Sequence, residues 1–251
     1  MPNNSSNLST LLGRNAAFAK YYDQQALGFT QQPHTLWIGC VDSRVSPELV
    51  TSSKVGELLV HRNMGNLMKE TDHTNGLIHF AVKLLGIRNI VVCGHTNCGA
   101  CYRSIRGGVH GMDIWLRDSR NRFLQQQGPK SSVSTDSKSP TKSPKSPLSA
   151  VSSADNHYAR GHKRHQSTQD ELTVRAQTPQ ENLNENTMEQ QAQELSKMNT
   201  LSGIELIATH EDVIEAWEGG EDLTISALFL NVEHGSLNVL KTITKDALIA
   251  E

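Results

Sequence analysis

The chain has 251 residues and a formal net charge of −2 at pH 7. This length suits one or two domains with a sizeable core, and the near-neutral charge argues against nucleic acid as the main partner. No apolar run approaches the ~20 residues that a membrane-spanning helix needs, so we expect no membrane partner. The N-terminus lacks the basic start and apolar block of a secretory signal. A cytoplasmic location is therefore predicted, and the serines and early Arg14 leave a mitochondrial one as the alternative.

The first half of the chain alternates predicted helices with short apolar strands. A helix is predicted over residues 8–27, and strands are predicted over 35–40, 57–61 and 87–93. An amphipathic helix over 75–85 lies between the last two strands. Strands that are apolar on both faces and alternate with helices are typical of α/β proteins. The pattern predicts a mostly parallel sheet with flanking helices.

The composition changes after a helix predicted over residues 112–127. The chain from about 128 to 200 is rich in Ser, Thr, Pro, Lys and Gln and has few large apolar residues, which predicts a low-complexity, disordered insert. A polar helix is predicted within it, over 181–198. Three Ser-Pro units lie at 138–147. Phosphorylation there is one hypothesis, and a solvated linker without a specific role is the other.

The C-terminal part gives a weaker signal. The apolar run 223–232 fits a strand or a buried helix, and the apolar spacing over 237–248 predicts a helix. The expected organisation is a core domain over 1–127 that carries all the site motifs, an insert over 128–200, and the rest of the same domain over 201–251.

Potential metal ligands follow two of the predicted strands. Cys40 ends the first strand, and His95 and Cys98 come three residues apart after the third. Functional groups of parallel sheets lie past the carboxyl ends of the strands, so these side chains should meet. Two thiolates and one imidazole favour zinc and leave a fourth position open, as in catalytic sites. Zinc lowers the pKa of a bound water to roughly 7, which supplies hydroxide at neutral pH.

Asp42 and Arg44 lie beside the first of these ligands. Arg44 is placed to hold Asp42 through a bidentate pair, so that Asp42 orients the hydroxide and accepts its proton. If the pair breaks, Asp42 is a possible fourth ligand that closes the site. Two alternatives stay open: His95, Cys98 and Cys101 as the ligand set, or Cys98 and Cys101 as a redox pair.

Three motifs in this order resemble those of the β-class carbonic anhydrases, and the local sequence is similar to that of the fungal members. The three motifs are Cys40-Val41-Asp42-Ser43-Arg44, His61-Arg62-Asn63-Met64-Gly65-Asn66 and Gly94-His95-Thr96-Asn97-Cys98-Gly99. The resemblance runs from about Leu11 to Phe123 and returns weakly over 231–237. It implies an α/β sheet and a homodimer or higher homo-oligomer, in which the N-terminal helix packs on the partner.

The resemblance also implies the activity and its residues. The reaction would be the reversible hydration of carbon dioxide to bicarbonate and a proton by a zinc-bound hydroxide. The Zn²⁺ ligands would be Cys40, His95 and Cys98, and Asp42 and Arg44 would form the catalytic dyad.

The substrate pocket implied by the resemblance would contain Gln31, Leu59 and Phe80. Leu59 stands where the family has an aromatic residue, and Phe80 stands where it has a tyrosine. Trp37 and Arg62 match two of the three positions that a subset of the family uses for an inhibitory bicarbonate site.

Two departures from the family pattern bear on the expected function. One is the insert, and the other is the C-terminus, where the family continues past the equivalent of Ala247 with a strand, a turn and a terminal strand. A shortened chain would leave the strand over 87–93 with an open edge unless 223–232 covers it. The alternatives to an active enzyme of this type are therefore an impaired zinc-binding regulatory protein, a carbonyl sulfide or carbon disulfide hydrolase, and a thiol redox protein.

Overall fold

The centre of the molecule is a five-stranded sheet. The structure is a computed structural model that describes residues 8–20, 30–107, 112–126 and 179–246. The strands are β1 (Thr35–Cys40), β2 (Leu58–Asn63), β3 (Asn89–His95), β4 (Thr224–Leu230) and β5 (Leu237–Ile243). Their order in the sheet is β2-β1-β3-β4-β5. The first four strands run parallel and β5 runs antiparallel to β4, which confirms the predicted mostly parallel α/β sheet.

The described part of the chain also contains helices. They are α1 (Leu8–Ala19), α2 (Pro47–Thr51), α3 (Asp72–His79), α4 (Gly99–Arg106), α5 (Met112–Trp115), α6 (Arg117–Gln126), α7 (Pro179–Ala208) and α8 (Glu211–Glu218). A π-helical segment, Phe80–Leu84, extends α3, so the helix predicted over 75–85 is present and begins earlier. The helix predicted over 8–27 is described only as α1. Among the described helices, none combines the length and apolarity needed to cross a membrane.

The core explains why the strands form where they do. All six residues of β1 are buried, and so are the last six residues of β3, because helices cover both faces of a parallel sheet. The largest apolar cluster joins side chains of these strands, such as Leu36 and Ile90, to α7 and α8 through Ile204, Ile207 and Trp217.

The C-terminal strands correct two expectations. β4 pairs with β3 along its whole length, so residues 223–232 do cover the edge that was expected to be open. The helix predicted over 237–248 is wrong, because β5 forms a strand there. The backbone of β5 gains hydrogen bonds along β4, and β-branched Val239, Thr242 and Ile243 suit a pleated strand better than a helix.

α7 confirms the helix predicted over 181–198 and is longer than predicted, with 30 residues. The expected domain boundary at residue 201 falls inside it. The inward face of α7 includes small polar residues, namely Ser196, Asn199 and Thr200, and these hide its apolar period. Residues 127–178, with the Ser-Pro units, lie outside the described residues, so their disorder and phosphorylation stay predictions.

Candidate metal centre

The carboxyl ends of β1 and β3 bring three potential ligands together. Cys40 is the last residue of β1, His95 is the last residue of β3, and Cys98 caps the start of α4. Their ligand atoms all lie within 4.8 Å of one another, and all three residues are buried. The two Sγ atoms are 3.9 Å apart. β1 and β3 are parallel neighbours, so their ends meet at one edge of the sheet, as the sequence predicts.

Gly94 lets β3 approach α7 closely at this point. A side chain at residue 94 would collide with Thr200 Oγ1 of α7 and would lie 3.0 Å from the ring of Phe229 in β4. The next residue, His95, donates its backbone N–H to Ser196 Oγ of α7 at 3.4 Å. The absence of a side chain at Gly94 therefore seats the histidine against α7.

The ring of His95 is prepared for a metal. Its Nδ1 lies 2.8 Å from the carbonyl oxygen of Thr96, a geometry in which Nδ1–H donates and Nε2 is left bare. Nε2 is buried and has no hydrogen-bond partner in the described part of the chain. A buried bare nitrogen is costly unless something binds it, and a second hydrogen bond that fixes the tautomer is typical of metal-binding histidines.

Without a metal, the thiols of Cys40 and Cys98 hold their protons. The pKa of Cys40 is raised to about 12 by its hydrogen bond with Cys98 and by burial. The pKa of Cys98 is also raised to about 12, by a hydrogen bond with Cys101 and by burial. Zinc binds thiolates, and its charge offsets the cost of ionising them. Two sulfurs and one imidazole nitrogen are a donor set that fits zinc.

The other two cysteines do not belong to this group. Cys101 is fully buried in the same apolar cluster as Cys40 and Cys98, but its thiol is not among the ligand atoms that lie within 4.8 Å of one another. Burial raises the pKa of Cys93, which lies inside β3, to about 12. The geometry therefore favours the ligand set with Cys40 over the one with Cys101.

Asp42 and Arg44 form the expected bidentate pair. Arg44 Nε donates to Asp42 Oδ1 at 2.9 Å and Arg44 Nη2 donates to Oδ2 at 2.7 Å. The backbone N–H of Arg44 also donates to Oδ1, at 3.0 Å. The side-chain bonds from Arg44 lower the pKa of Asp42 to about 2. Asp42 is thus an ionised carboxylate bound to Arg44 and stands outside the three-residue group.

A second set of contacts holds the loop that carries Cys98. Arg44 Nη2 also donates to the carbonyl of Asn97 at 2.8 Å, and Asn97 Nδ2 donates to Glu233 Oε1 at 3.2 Å. The turn between β4 and β5 thus supports the loop that carries Cys98 through Glu233. The weak return of the family pattern over 231–237 was the sequence signal for this contact.

Buried amides connect α7 to the turn after β2. Asn66 Nδ2 donates to Thr200 Oγ1 and Asn199 Nδ2 donates to the carbonyl of Gly65, each at 3.0 Å. Sequence reasoning missed this network, because the motif that contains Asn66 gives no indication of a helix 130 residues further on.

The predicted pocket residues lie apart from the metal ligands in the described contacts. Gln31 is exposed, Leu59 packs against the largest apolar cluster, and Phe80 begins the π-helical segment. The apolar cluster that contains Cys40 and Cys98 includes neither Leu59 nor Phe80. Their pocket role stays a prediction.

Known proteins share both the motif-bearing segment and the fold. The sequence profile of the family described as carbonic anhydrase matches residues 35–145. Residues 35–145 are therefore similar to the carbonic anhydrase family. Curated carbonic anhydrases of Helicobacter pylori and the fungus Candida albicans are 44% and 42% identical over 92 and 99 residues, which are 34% and 38% of this chain. The β-carbonic anhydrase of Coccomyxa, solved with acetazolamide, has a TM-score of 0.65 and 23% identity over 97% of this chain and 91% of its own.

These matches set the extent of the relationship. The sequence alignments span 39% and 34% of the length of the Helicobacter and Candida carbonic anhydrases. The likeness to the Coccomyxa structure extends the β-carbonic anhydrase fold through α7, α8, β4 and β5, beyond the part where the sequences align.

Proposed function

We propose that this chain is a zinc-dependent carbonic anhydrase that converts carbon dioxide and water reversibly to bicarbonate and a proton. The observation that carries the proposal is the buried group of Cys40, His95 and Cys98. In this group, His95 Nε2 has no hydrogen-bond partner among the described residues. The family match of residues 35–145 supports the same reaction class.

The residues around the metal site divide the work. Cys40, His95 and Cys98 would hold a zinc ion, whose Lewis acidity makes water a nucleophile near neutral pH. Asp42 stays ionised because Arg44 lowers its pKa to about 2. Its oxygens therefore accept hydrogen bonds and orient the attacking water, while such a weak base does not retain the proton. The proton passes to solvent, toward which the guanidinium of Arg44 is half exposed.

The test of this function is carbon dioxide hydration by the purified full chain. We expect about one zinc per chain and hydration, followed by stopped flow with a pH indicator, far above the buffer rate. Removing zinc with a chelator should abolish the activity, re-addition should restore it, and acetazolamide should inhibit it. Bound zinc without hydration would indicate a regulatory zinc protein, and hydrolysis of carbonyl sulfide or carbon disulfide in its place would indicate the related hydrolase.

We also propose that the active form is a homodimer or a higher homo-oligomer. Leu8, Leu11 and Leu12 of α1 are 69%, 55% and 58% exposed, and α1 buries no residue in this chain. An apolar stripe of this kind is stabilised when a second surface covers it. A second copy would cover α1 and bring the exposed Gln31 loop to a neighbouring site.

The oligomer is tested by light scattering after chromatography. A double variant, Leu11→Gln with Leu12→Gln, is expected to shift the mass toward the monomer. Ala17→Gln, on the opposite side of α1 and also exposed, is the matched control and should keep the mass of the unaltered chain. A double variant with unchanged mass would contradict the role of α1.

A cytoplasmic location fits this proposal. Cys40, Cys93, Cys98 and Cys101 are all free and buried, as expected of thiols in a reducing compartment.

A further inference from the structure

Arg62 links edge strand β2 to the segment from Cys40 to Arg44, which is called the metal loop below. Its Nε donates to the carbonyl oxygen of Cys40 at 2.8 Å, and its Nη2 donates to the carbonyl oxygen of Asp42 at 2.7 Å. Arg62 is half-buried, so both charge-assisted bonds are partly shielded from water. One side chain therefore contacts the backbone of a potential metal ligand, Cys40, and the backbone of Asp42.

We propose that Arg62 is a positioning residue for the metal centre, which sets the spacing between the Cys40 ligand and the Asp42 carboxylate. The inference rests on the proposed function. β1 ends at Cys40, so the residues after it lack a regular ladder to hold them. Besides the two bonds from Arg62, one backbone bond ties this segment to β2, from Val41 N–H to the carbonyl of Asn63 at 3.0 Å.

Two arginines thus act on Asp42 in different ways. Arg44 binds the carboxylate from within the same loop and joins that loop to the carbonyl oxygen of Asn97. Arg62 binds the backbone and comes from the sheet, so it fixes the loop relative to the rest of the protein. Without Arg62, the pair of Asp42 and Arg44 would persist while its position relative to Cys40 would vary.

The guanidinium is suited to this role. Its planar fork presents several N–H groups at fixed angles, and here two of them reach carbonyls that are two residues apart. A lysine in the same place has one nitrogen and cannot reproduce both bonds with the same geometry. In this structure both bonded N–H groups of Arg62 donate to backbone carbonyls, so the side chain holds the loop in place.

Arg88 provides a matched control. It is also half-buried, and its Nη1 donates to two backbone carbonyls, those of Val82 at 2.8 Å and Ile87 at 2.9 Å. It stands just before β3, at the end of the sheet opposite the metal ligands. A substitution there removes the same kind of bond, together with an ion pair to Glu221, without reaching the site.

The experiment compares Arg62→Gln, Arg62→Lys and Arg88→Gln in the full chain. Three quantities are measured: zinc affinity by competition with a chromophoric chelator, the visible spectrum of the cobalt-substituted proteins, and kcat and KM for hydration. We expect Arg62→Gln to lose roughly 10- to 100-fold in zinc affinity or in kcat, the range typical when a residue that supports a metal ligand is lost. Its cobalt bands should shift, and KM should stay within about threefold. The zinc affinity and kcat of Arg62→Lys should lie between those of Arg62→Gln and those of the unaltered chain. Arg88→Gln should match the unaltered chain in cobalt spectrum and zinc affinity.

Three outcomes would overturn the proposal. One is an Arg62→Gln protein with unaltered cobalt spectrum, zinc affinity and kcat. Another is an equal loss in Arg88→Gln, which would mark a general effect on stability. If Arg62→Gln does not fold, Arg62→Lys decides, and unaltered values in that variant reject the role. A chain without hydration activity would refute the proposed function alone, because affinity and spectrum still report the metal geometry.

Discussion

Replacing Cys40 by alanine is expected to remove zinc from the protein. The site offers three protein ligands, and each of the two thiolates contributes both a bond and a negative charge that the metal needs in a buried place. Apparent binding free energies of structural zinc sites are about 10–16 kcal/mol shared among four ligands, so one ligand represents roughly 3 kcal/mol, or about 100-fold in affinity. The zinc content of the variant, measured by atomic emission after dialysis against a competing chelator, should fall from about one per chain to near zero.

Cys101→Ala is the control for this loss. Cys101 is as buried as the ligands and shares the apolar cluster of Cys40 and Cys98, but its thiol is not part of the three-residue group. Its variant should melt at a lower temperature, because a buried side chain has been truncated, and should keep its zinc. Zinc retained without Cys40 and lost without Cys101 would select the other ligand set, with His95, Cys98 and Cys101.

The site was predictable because local sequence and topology agree. Apolar strands followed at once by polar residues predict a parallel sheet with its functional groups at one edge. Cys40 and His95 obey this rule because β1 and β3 are neighbours. Cys98 needs only the short turn that follows. Spacing alone left the set with Cys101 open, and the family resemblance implied the set with Cys40.

The parts that could not be predicted depend on partners distant in the chain. β5 has a helical apolar spacing, yet hydrogen bonds to β4 decide its conformation. α7 is polar along much of its length, and the polar residues on its inward face are buried because Asn66, Gly65 and His95 provide their partners. Neither partnership is encoded in a local period.

The same strands bear on whether the chain is active. The expectation of an impaired enzyme rested on an open edge beside the strand that ends in His95. β4 covers that edge, with Thr224 paired to Asn89 and Leu230 paired to His95. The histidine is therefore held by β-sheet bonds on one side and by Ser196 of α7 on another. This support removes the structural reason for expecting impairment.

Replacing Asp42 by asparagine is expected to leave zinc in place and to remove most of the hydration activity. Asparagine keeps one acceptor oxygen, and its amide N–H groups oppose the donors of Arg44, so the bidentate pair at 2.9 and 2.7 Å is lost. The carboxylate that orients the water disappears with it. Loss of a group that accepts hydrogen bonds from the reacting water costs typically 10²–10⁴-fold, and we expect kcat/KM to fall by at least about 100-fold.

The pH dependence and a matched variant sharpen this test. Because the pKa of Asp42 is lowered to about 2, the carboxylate of the unaltered chain stays ionised above about pH 4 and becomes protonated only as the pH falls through about 2. The hydration profile between pH 6 and 9 should therefore show no step from the titration of Asp42, and Asp42→Asn should lower the rate across that whole range.

Asp212→Asn is the matched control. It removes another buried carboxylate, one bound to His79 at 3.0 Å, and should lower the melting temperature while kcat/KM per folded molecule is retained. Undiminished turnover in Asp42→Asn would rule out the orienting role, because no other described carboxylate lies between Cys40 and Arg44 in the metal loop.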